Sequence, residues 1–198
     1  MTRATRDAGQ TLPLFVWVAG ILLFVSFAFF AFAQAASVRN GAQTAADAAA
    51  LAAAQAGREE MVQGLLAAEP GMEGWGRWLD ADNLVGRGAA DAAGELAARN
   101  HSRVTSFART TVDGSPAFKV TVETNYATGT SVIPGAASRK AKASATAVLR
   151  SQCALDGEDG GDITLDCGVG SVRRFPASDL SGLEFPAPSK IFDVYLAS

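Results

Sequence analysis

The hydrophobic pattern begins with a long apolar stretch near the N-terminus, where no charged residue occurs between Ala8 and Val38. As an α-helix, its most apolar part, residues 12–33, would be about 33 Å long, enough to cross a hydrocarbon layer of about 30 Å. Pro13 suits the first helical turn, where a missing N–H leaves no hydrogen bond unmade. The pattern therefore predicts a membrane-spanning helix over residues 12–33.

A cleaved secretory signal is the alternative interpretation of this stretch. Ala31-Phe32-Ala33 has the small-x-small pattern that a signal peptidase cuts, which would leave Gln34 as the new N-terminus. The apolar run is longer than the roughly 7 to 15 residues usual in a signal, and no helix breaker follows it. We therefore expect the span to be retained.

Positive charge flanks the span mainly on its N-terminal side, where Arg3 and Arg6 lie, whereas Arg39 alone closely follows it. By the positive-inside rule, the N-terminal segment 1–11 faces the cytoplasm. We therefore expect a single-pass membrane protein whose remaining residues lie on the opposite side of the membrane.

Alanine dominates the next segment, residues 34–57, which contains no proline. Since alanine is the best helix former, we expect the helix to continue to about Ala56 and to reach about 70 Å in total. Small side chains share one face of this extension and would let another element approach closely; they are Ala42, Ala45, Ala49 and Ala52. We predict that this interaction face packs on the protein's own sheet in its upper part and on partner helices near the membrane.

A polar stripe runs beside that small-residue face. Arg39, Gln43 and Asp47 follow one another at intervals of four, the spacing at which side chains on a helix surface can pair. We interpret this stripe as a solvated face with weak helical pairs.

Residues 58–150 change from helical to strand periodicity and predict an α+β domain. Helices are expected over Arg58–Ala68 and Ala89–Asn100. The aromatic segment Gly74–Leu79 between them is expected to form a loop or a short turn of helix whose tryptophans fill the core, and an adhesive or interfacial role of the tryptophans is the alternative interpretation. From Val104 the period is two, which predicts three strands: Val104–Val112, a strand containing Phe118, Val120 and Val122, and Ala141–Leu149. Asp113-Gly114-Ser115-Pro116, between the first two strands, is typical of a hairpin.

The third predicted strand suggests how the domain is built. Ala141, Ala143, Ala145 and Ala147 alternate with polar residues, so one face of the strand is lined by small side chains. The alanine face of the long helix is its natural partner. We therefore predict short helices and the extension of the long helix packed on a small antiparallel sheet.

The last segment, residues 151–198, is acidic, with three Lys and Arg against eight Asp and Glu. Cys153 and Cys167, the only cysteines, allow one intrachain pairing, and closing this loop of about 14 residues would stabilise the fold by roughly 3 kcal/mol. A disulfide implies an oxidising compartment, which agrees with the predicted topology. Two separate buried thiols are the alternative interpretation.

Composition excludes several kinds of chemistry. One histidine and two cysteines cannot build a multi-histidine zinc site or a four-cysteine cluster, and a net charge of −3 is not that of a nucleic-acid binder.

His101 lies among polar residues and suits a solvated helix end. The acidic run 156–162 has oxygen ligands suited to calcium but lacks the EF-hand spacing, so we interpret it as a solvated loop. We expect no enzymatic activity, no cofactor and no small-molecule substrate.

A short polar segment and an alanine-rich segment flank the span. They are Arg6-Asp7-Ala8-Gly9-Gln10-Thr11-Leu12-Pro13-Leu14 and Arg39-Asn40-Gly41-Ala42-Gln43-Thr44-Ala45-Ala46-Asp47-Ala48-Ala49-Ala50-Leu51-Ala52. In this arrangement, over residues 6–56, the chain resembles the N-terminal signature of the Flp pilus-assembly TadE/TadG-like proteins, which are pilin-related proteins of bacterial tight-adherence systems.

The resemblance implies a bacterial cell-membrane protein with a cytoplasmic N-terminus, a long helix and an exported, pilin-like α+β domain that is extracellular or faces the cell wall. It implies a non-enzymatic minor pilin or pseudopilin role. The implied partners are the membrane and pilus or secretion-system subunits, which the long helix would contact. A single-pass anchored module for extracytoplasmic binding or cell adhesion is the alternative function.

Processing by a prepilin peptidase would cut after Gly9 and leave Gln10 as the first residue. Pilins processed in this way carry Glu five residues after the cut, where this chain has Leu14, and residues 1–58 contain no Glu. An uncleaved, TadG-type anchored protein therefore fits the sequence at least as well as a processed, polymerising pilin.

Overall fold

The computed structural model describes residues 11–68, 72–127, 140–159, 162–168, 172–176 and 186–197. Over these residues, three helices come first and are followed by two antiparallel sheets. The elements in chain order are α1 (Thr11–Ala67), α2 (Met72–Leu79), α3 (Ala89–Arg99), β1 (Ser102–Val112), β2 (Ser115–Ala127), β3 (Lys140–Ser151), β4 (Ala154–Asp159), β5 (Asp162–Asp166), β6 (Val172–Pro176), α4 (Pro188–Ile191) and β7 (Phe192–Leu196). The fold is α+β, as predicted.

Helix α1 is longer than the sequence predicts. It runs for 57 residues without interruption, which corresponds to about 86 Å, and it includes the segment from Arg58 that we expected to be a separate helix. Gly57 does not end the helix. An added Cβ there would lie 2.9 Å from the ring of Phe118, so the glycine makes room for a buried aromatic ring.

The main sheet has the strand order β1-β2-β3-β7, with every neighbouring pair antiparallel. The predicted alternation is confirmed, since Phe118, Val120 and Val122 are buried in one cluster with the alanines of α1 and α3. Both helices therefore lie on one face of the sheet. The predicted hairpin is also present: Asp113 and Gly114 have φ values of 49° and 79°, the two positive angles that a type I′ turn requires.

Alanine lines the contact between helix and sheet on both sides. On β3, Ala147 is fully buried and Ala145 is 9% exposed, and on α3, Ala89, Ala93 and Ala97 are fully buried. A side chain with a single methyl group lets neighbouring backbones approach closely. The helices and the sheet can therefore lie nearer to each other than in a leucine-rich core. The predicted match between the alanine surfaces of the long helix and the sheet is confirmed.

The tryptophan segment forms helix α2 and fills the core as predicted. Trp75 is fully buried in the hydrophobic cluster, and Trp78 packs against it at partial exposure. This places α2 beside the C-terminal part of α1.

The C-terminal quarter contains strands that the sequence analysis does not predict. Phe192–Leu196 forms the strand β7 and pairs with β3, so the main sheet extends beyond the predicted boundary at residue 150. β4, β5 and β6 form a separate three-stranded sheet. Asp and Gly are depleted in strands, which is why their abundance here concealed the strand pattern. Ile163 and Leu165 of β5 are buried in the main hydrophobic cluster.

The predicted disulfide between Cys153 and Cys167 is present, with the two Cα atoms 3.9 Å apart. Cys153 precedes β4 and Cys167 follows β5, so the bond closes the open end of this hairpin just after β3. The second sheet is thereby attached to the edge of the main domain.

We expect non-reducing peptide mapping of protein isolated without reductant to show one linked pair, Cys153 with Cys167. The double substitution Cys153→Ser/Cys167→Ser should lower the free energy of unfolding by about 3 kcal/mol, because the unfolded chain gains the entropy of an open loop. Denaturant unfolding of both forms checks this value. Two free thiols in the isolated protein would contradict the assignment.

Candidate functional site: the long N-terminal helix

The first half of α1 exposes apolar side chains on every side. Residues 12–37 are all exposed, and Phe24, Phe29 and Phe32 leave 75%, 75% and 79% of their surface uncovered. A helix that is apolar all round belongs in hydrocarbon or in a protein core, and this half has no core around it. Within the described residues, α1 is the one helix long and apolar enough to cross a membrane.

The environment of α1 changes abruptly at Val38, which is 6% exposed. From there the helix enters the domain core: Ala45, Ala46, Ala49 and Ala50 are fully buried. No turn or loop separates the two environments, because the helix is continuous. The exposed apolar segment and the central core helix are therefore parts of one continuous helix.

The predicted interaction face lies inside the domain. Ala42, Ala45 and Ala49 are fully buried and Ala52 is 8% exposed, so the protein's own elements already cover all four side chains. The structure leaves none of them for a partner helix. N-terminal to Val38, α1 is exposed on every side and can contact another subunit with any of its faces.

The polar stripe beside this face is solvated, as predicted. Gln43 Nε2 donates a hydrogen bond of 2.7 Å to Asp47 Oδ1, and both groups lie at the surface. Arg39 is also exposed. This pair is of the i, i+4 kind and contributes only weakly to helix stability.

Three glycines in the domain half of α1 each lie under an aromatic ring from another element. A Cβ added at Gly41 would lie 2.1 Å from the Tyr126 hydroxyl, and one added at Gly64 would lie 2.3 Å from the ring of Trp78. Gly57 lies under Phe118 in the same way. The rings come from the two ends of β2 and from α2. These contacts fix the position of α1 along the sheet.

Glu60 fixes the loop before α3 to the C-terminal part of α1. Its carboxylate accepts hydrogen bonds from the backbone N–H groups of Val85, Gly86 and Arg87 at 3.3, 2.7 and 2.8 Å. The Arg87 Nε atom lies 3.3 Å from the same carboxylate. Arg109 Nη1 in turn donates to the Val85 carbonyl at 3.0 Å. A carboxylate engaged by this many donors serves as an anchor for the loop and not as a general base.

Two other ionisable groups of the described residues bear on the search for a site. His101 is exposed at the end of α3, as predicted. Glu123, on the sheet, lies 2.6 Å from Arg103 and 3.3 Å from Lys142, and the hydrogen bond from Arg103 holds the pKa of this carboxyl below its usual value. Among the described residues, no group of three or more His, Cys, Asp or Glu side chains could hold a metal ion.

Two of the sequence predictions lie outside the described residues. One is the processing position at Gly9 and Gln10, and the other concerns the side chains of the acidic run 156–162. The backbone of 156–159 belongs to β4 and that of Asp162 to β5, so the prediction that this run is a loop is wrong for those residues. Asp and Gly are depleted in strands, and their abundance here favoured a loop.

Sequence reasoning missed the three glycine–aromatic contacts and the Glu60 anchor. The available signal was the presence of isolated glycines in an alanine-rich helix, where alanine would be the better helix former. An isolated glycine at such a place often marks a close approach of another element. The partners of Glu60 could not be predicted, because they lie 25 to 27 residues away in sequence.

A comparison with protein-family models finds a match in the N-terminal part of the chain. Residues 9–56 match the Tad model, described as putative Flp pilus-assembly TadE/G-like. The matched residues comprise the exposed apolar half of α1 and the first turns that are buried in the domain. Neither the curated proteins nor the solved structures include a significant match to this chain.

We expect Gly64→Ala to destabilise the domain, because the new methyl group would overlap the Trp78 ring. Overpacking costs about 1 to 3 kcal/mol, which exceeds the gain of about 1 kcal/mol that alanine brings to a helix. Gly94→Ala is the matched control, since Gly94 also lies within a helix and a Cβ there meets nothing within 4 Å. Gly94→Ala should therefore be neutral or stabilising.

Denaturant unfolding of the two variants and the parent protein measures both effects. Equal stability changes for Gly64→Ala and Gly94→Ala would contradict the close approach of Trp78 to α1.

Proposed function

We propose that this chain is a non-enzymatic, membrane-anchored structural subunit of a Flp/Tad-type pilus-assembly system, of the minor pilin or pseudopilin kind. The observation that carries the proposal is the uninterrupted passage of α1 from an exposed apolar half into the domain core at Val38. The family match over residues 9–56 covers this same passage. A subunit built in this way presents a folded domain at a fixed position above the membrane.

The mechanical consequence is a direct coupling between the span and the domain. Because Ala45 to Ala50 form part of the core, a displacement of the membrane helix along or around its axis moves the sheet and α3 with it. A flexible linker would instead allow the domain to reorient by itself. Such coupling suits a subunit that is moved or positioned by a machine in the membrane.

Two features support a topology with the N-terminus in the cytoplasm and the domain outside. Arg3 and Arg6 precede the span, in agreement with the positive-inside rule. The Cys153–Cys167 disulfide requires an oxidising compartment for the domain. We also propose that the span is retained in the mature protein, and an N-terminus at Gln34 by intact-mass analysis would contradict this.

An anchored binding or adhesion module is the second candidate function. It is favoured by an open groove of about 600 Å³ between the C-terminal part of α1 and α2, at the end of the domain away from the span. Glu59, Gln63 and Trp78 are among the residues that line it. A groove at this end would be accessible to an extracellular ligand while α1 serves only as the anchor.

Site-specific photo-crosslinking in native membranes tests which function applies. A photoreactive phenylalanine analogue in place of Phe24 or Phe29 should crosslink to pilus or secretion-system subunits, because these side chains lie on the free half of α1. The control position is Gln55, which is exposed on the domain half of the same helix. We expect it to give far fewer crosslinks to those membrane subunits.

Crosslinking from the span to lipid alone, in cells that produce the assembly system, would contradict the assembly role. The anchored module would then be the better account.

A further inference from the structure

We infer that the membrane-facing end of the domain is a binding surface for anionic phospholipid headgroups, formed by basic side chains that the fold gathers around α1 where it leaves the bilayer. This inference rests on the proposed membrane anchoring. It concerns a part of the molecule that lies beyond the apolar span itself.

The contacts of α1 show which end of the sheet faces the membrane. Tyr126, near the end of β2, reaches α1 at Gly41, whereas Phe118, near the start of β2, reaches it at Gly57. β2 therefore runs towards the membrane, antiparallel to α1. Its antiparallel neighbours β1 and β3 consequently begin at the membrane-facing end, and a hydrogen bond of 2.8 Å from Asn125 N to the His101 carbonyl places the end of α3 there as well.

This end of the domain carries an excess of positive charge. Among the described residues, its cations are Arg39, Arg99, Arg103, Lys140 and Lys142, and its carboxylates are Asp47, Glu95 and Glu123. Arg99 pairs with Glu95, and both Arg103 and Lys142 share Glu123. In the part of the chain that the structure describes, Arg39 and Lys140 have no ion-pair partner, and both are exposed.

The distances along α1 place these two charges at headgroup level. Arg39 follows Ala33, the last residue of the predicted span, by six positions, or about 9 Å along the helix. The headgroup region adds about 5 to 7 Å to each side of the hydrocarbon layer. Lys140 pairs with Ala127, directly after Tyr126, and so lies at nearly the same height as Gly41. The long, flexible side chains of Arg and Lys can reach the remaining distance.

Electrostatic attraction to anionic lipid is effective at this height. It decays within a Debye length of about 8 Å at physiological ionic strength, so charges near the base of the domain contribute and those farther up do not. Each Lys or Arg close to an anionic surface strengthens binding by about 5-fold. Arg39 and Lys140 are the strongest contributors, because neither forms an ion pair with a carboxylate of the described residues.

Lipid retention by the full-length protein tests the inference. The protein is reconstituted into nanodiscs that contain equal parts of phosphatidylglycerol and phosphatidylcholine, and the lipids that stay bound after gentle release are counted by native mass spectrometry. We expect the parent protein to retain phosphatidylglycerol preferentially. Arg39→Gln/Lys140→Gln should reduce that preference by about 5-fold for each charge removed.

Arg77→Gln/Arg150→Gln is the matched control, since it removes two exposed positive charges far from the membrane. Arg150 lies on β3 beyond Ala147, the residue that pairs with Phe118 at the level of Gly57, and Arg77 lies on α2. The control should keep the preference of the parent protein. Equal preferences in the parent protein and the Arg39/Lys140 variant would overturn the inference.

Two further measurements distinguish a lipid-headgroup surface from a site for free phosphate and from a failure of membrane anchoring. Inorganic phosphate, added at constant ionic strength, should not displace the retained phosphatidylglycerol, and displacement would show a site for free phosphate instead. Insertion into vesicles of phosphatidylcholine alone is measured in parallel. Insertion without any lipid preference rejects only the headgroup surface, whereas failure to insert rejects the proposed membrane anchor and the headgroup surface together.

Discussion

The structure depends on the close approach of an alanine-rich helix to alanine-rich surfaces on both the sheet and α3. Ala45 and Ala49 of α1, Ala147 of β3 and Ala93 of α3 are all fully buried, so neighbouring backbones are separated by little more than methyl groups. Larger side chains at these positions would push the layers apart, because interiors at native packing density have no room for extra atoms. The three glycines of α1 that lie under aromatic rings allow the same close approach at other points along the helix.

This packing explains why the exposed apolar half of α1 and the domain are joined without a linker. An alanine-rich helix buries little apolar surface per residue. In isolation, only the helix propensity of alanine would stabilise it. Enclosed by the sheet and α3, the same segment becomes the centre of the core, and its continuation N-terminal to Val38 is held in line with it. The exposed apolar half then needs only a bilayer or partner helices to be covered, which is consistent with the proposed role in pilus assembly.

Much of this arrangement could be predicted from local sequence patterns. The long apolar helix, the Asp113-Gly114 hairpin and the alternation around Val120 depend on neighbouring residues, and all three agree with the structure. Contacts between residues distant in sequence could not be predicted in the same way. β7 pairs with β3 across more than 40 residues. Glu60 binds a loop that follows α2 in sequence. The small face around Ala45 was visible in the sequence, but whether a partner or the chain's own sheet covers it depends on the tertiary fold.

The central claim is that α1 is one continuous helix from the bilayer into the core. Hydrogen–deuterium exchange of the full-length protein in nanodiscs, resolved over residues 30–50, tests it most directly. Slow exchange should persist from the span through residues 34–41 into the buried segment, because every amide in a continuous helix is hydrogen-bonded. Rapid exchange confined to residues 34–41, between protected segments on both sides, would reveal a flexible linker and contradict the account.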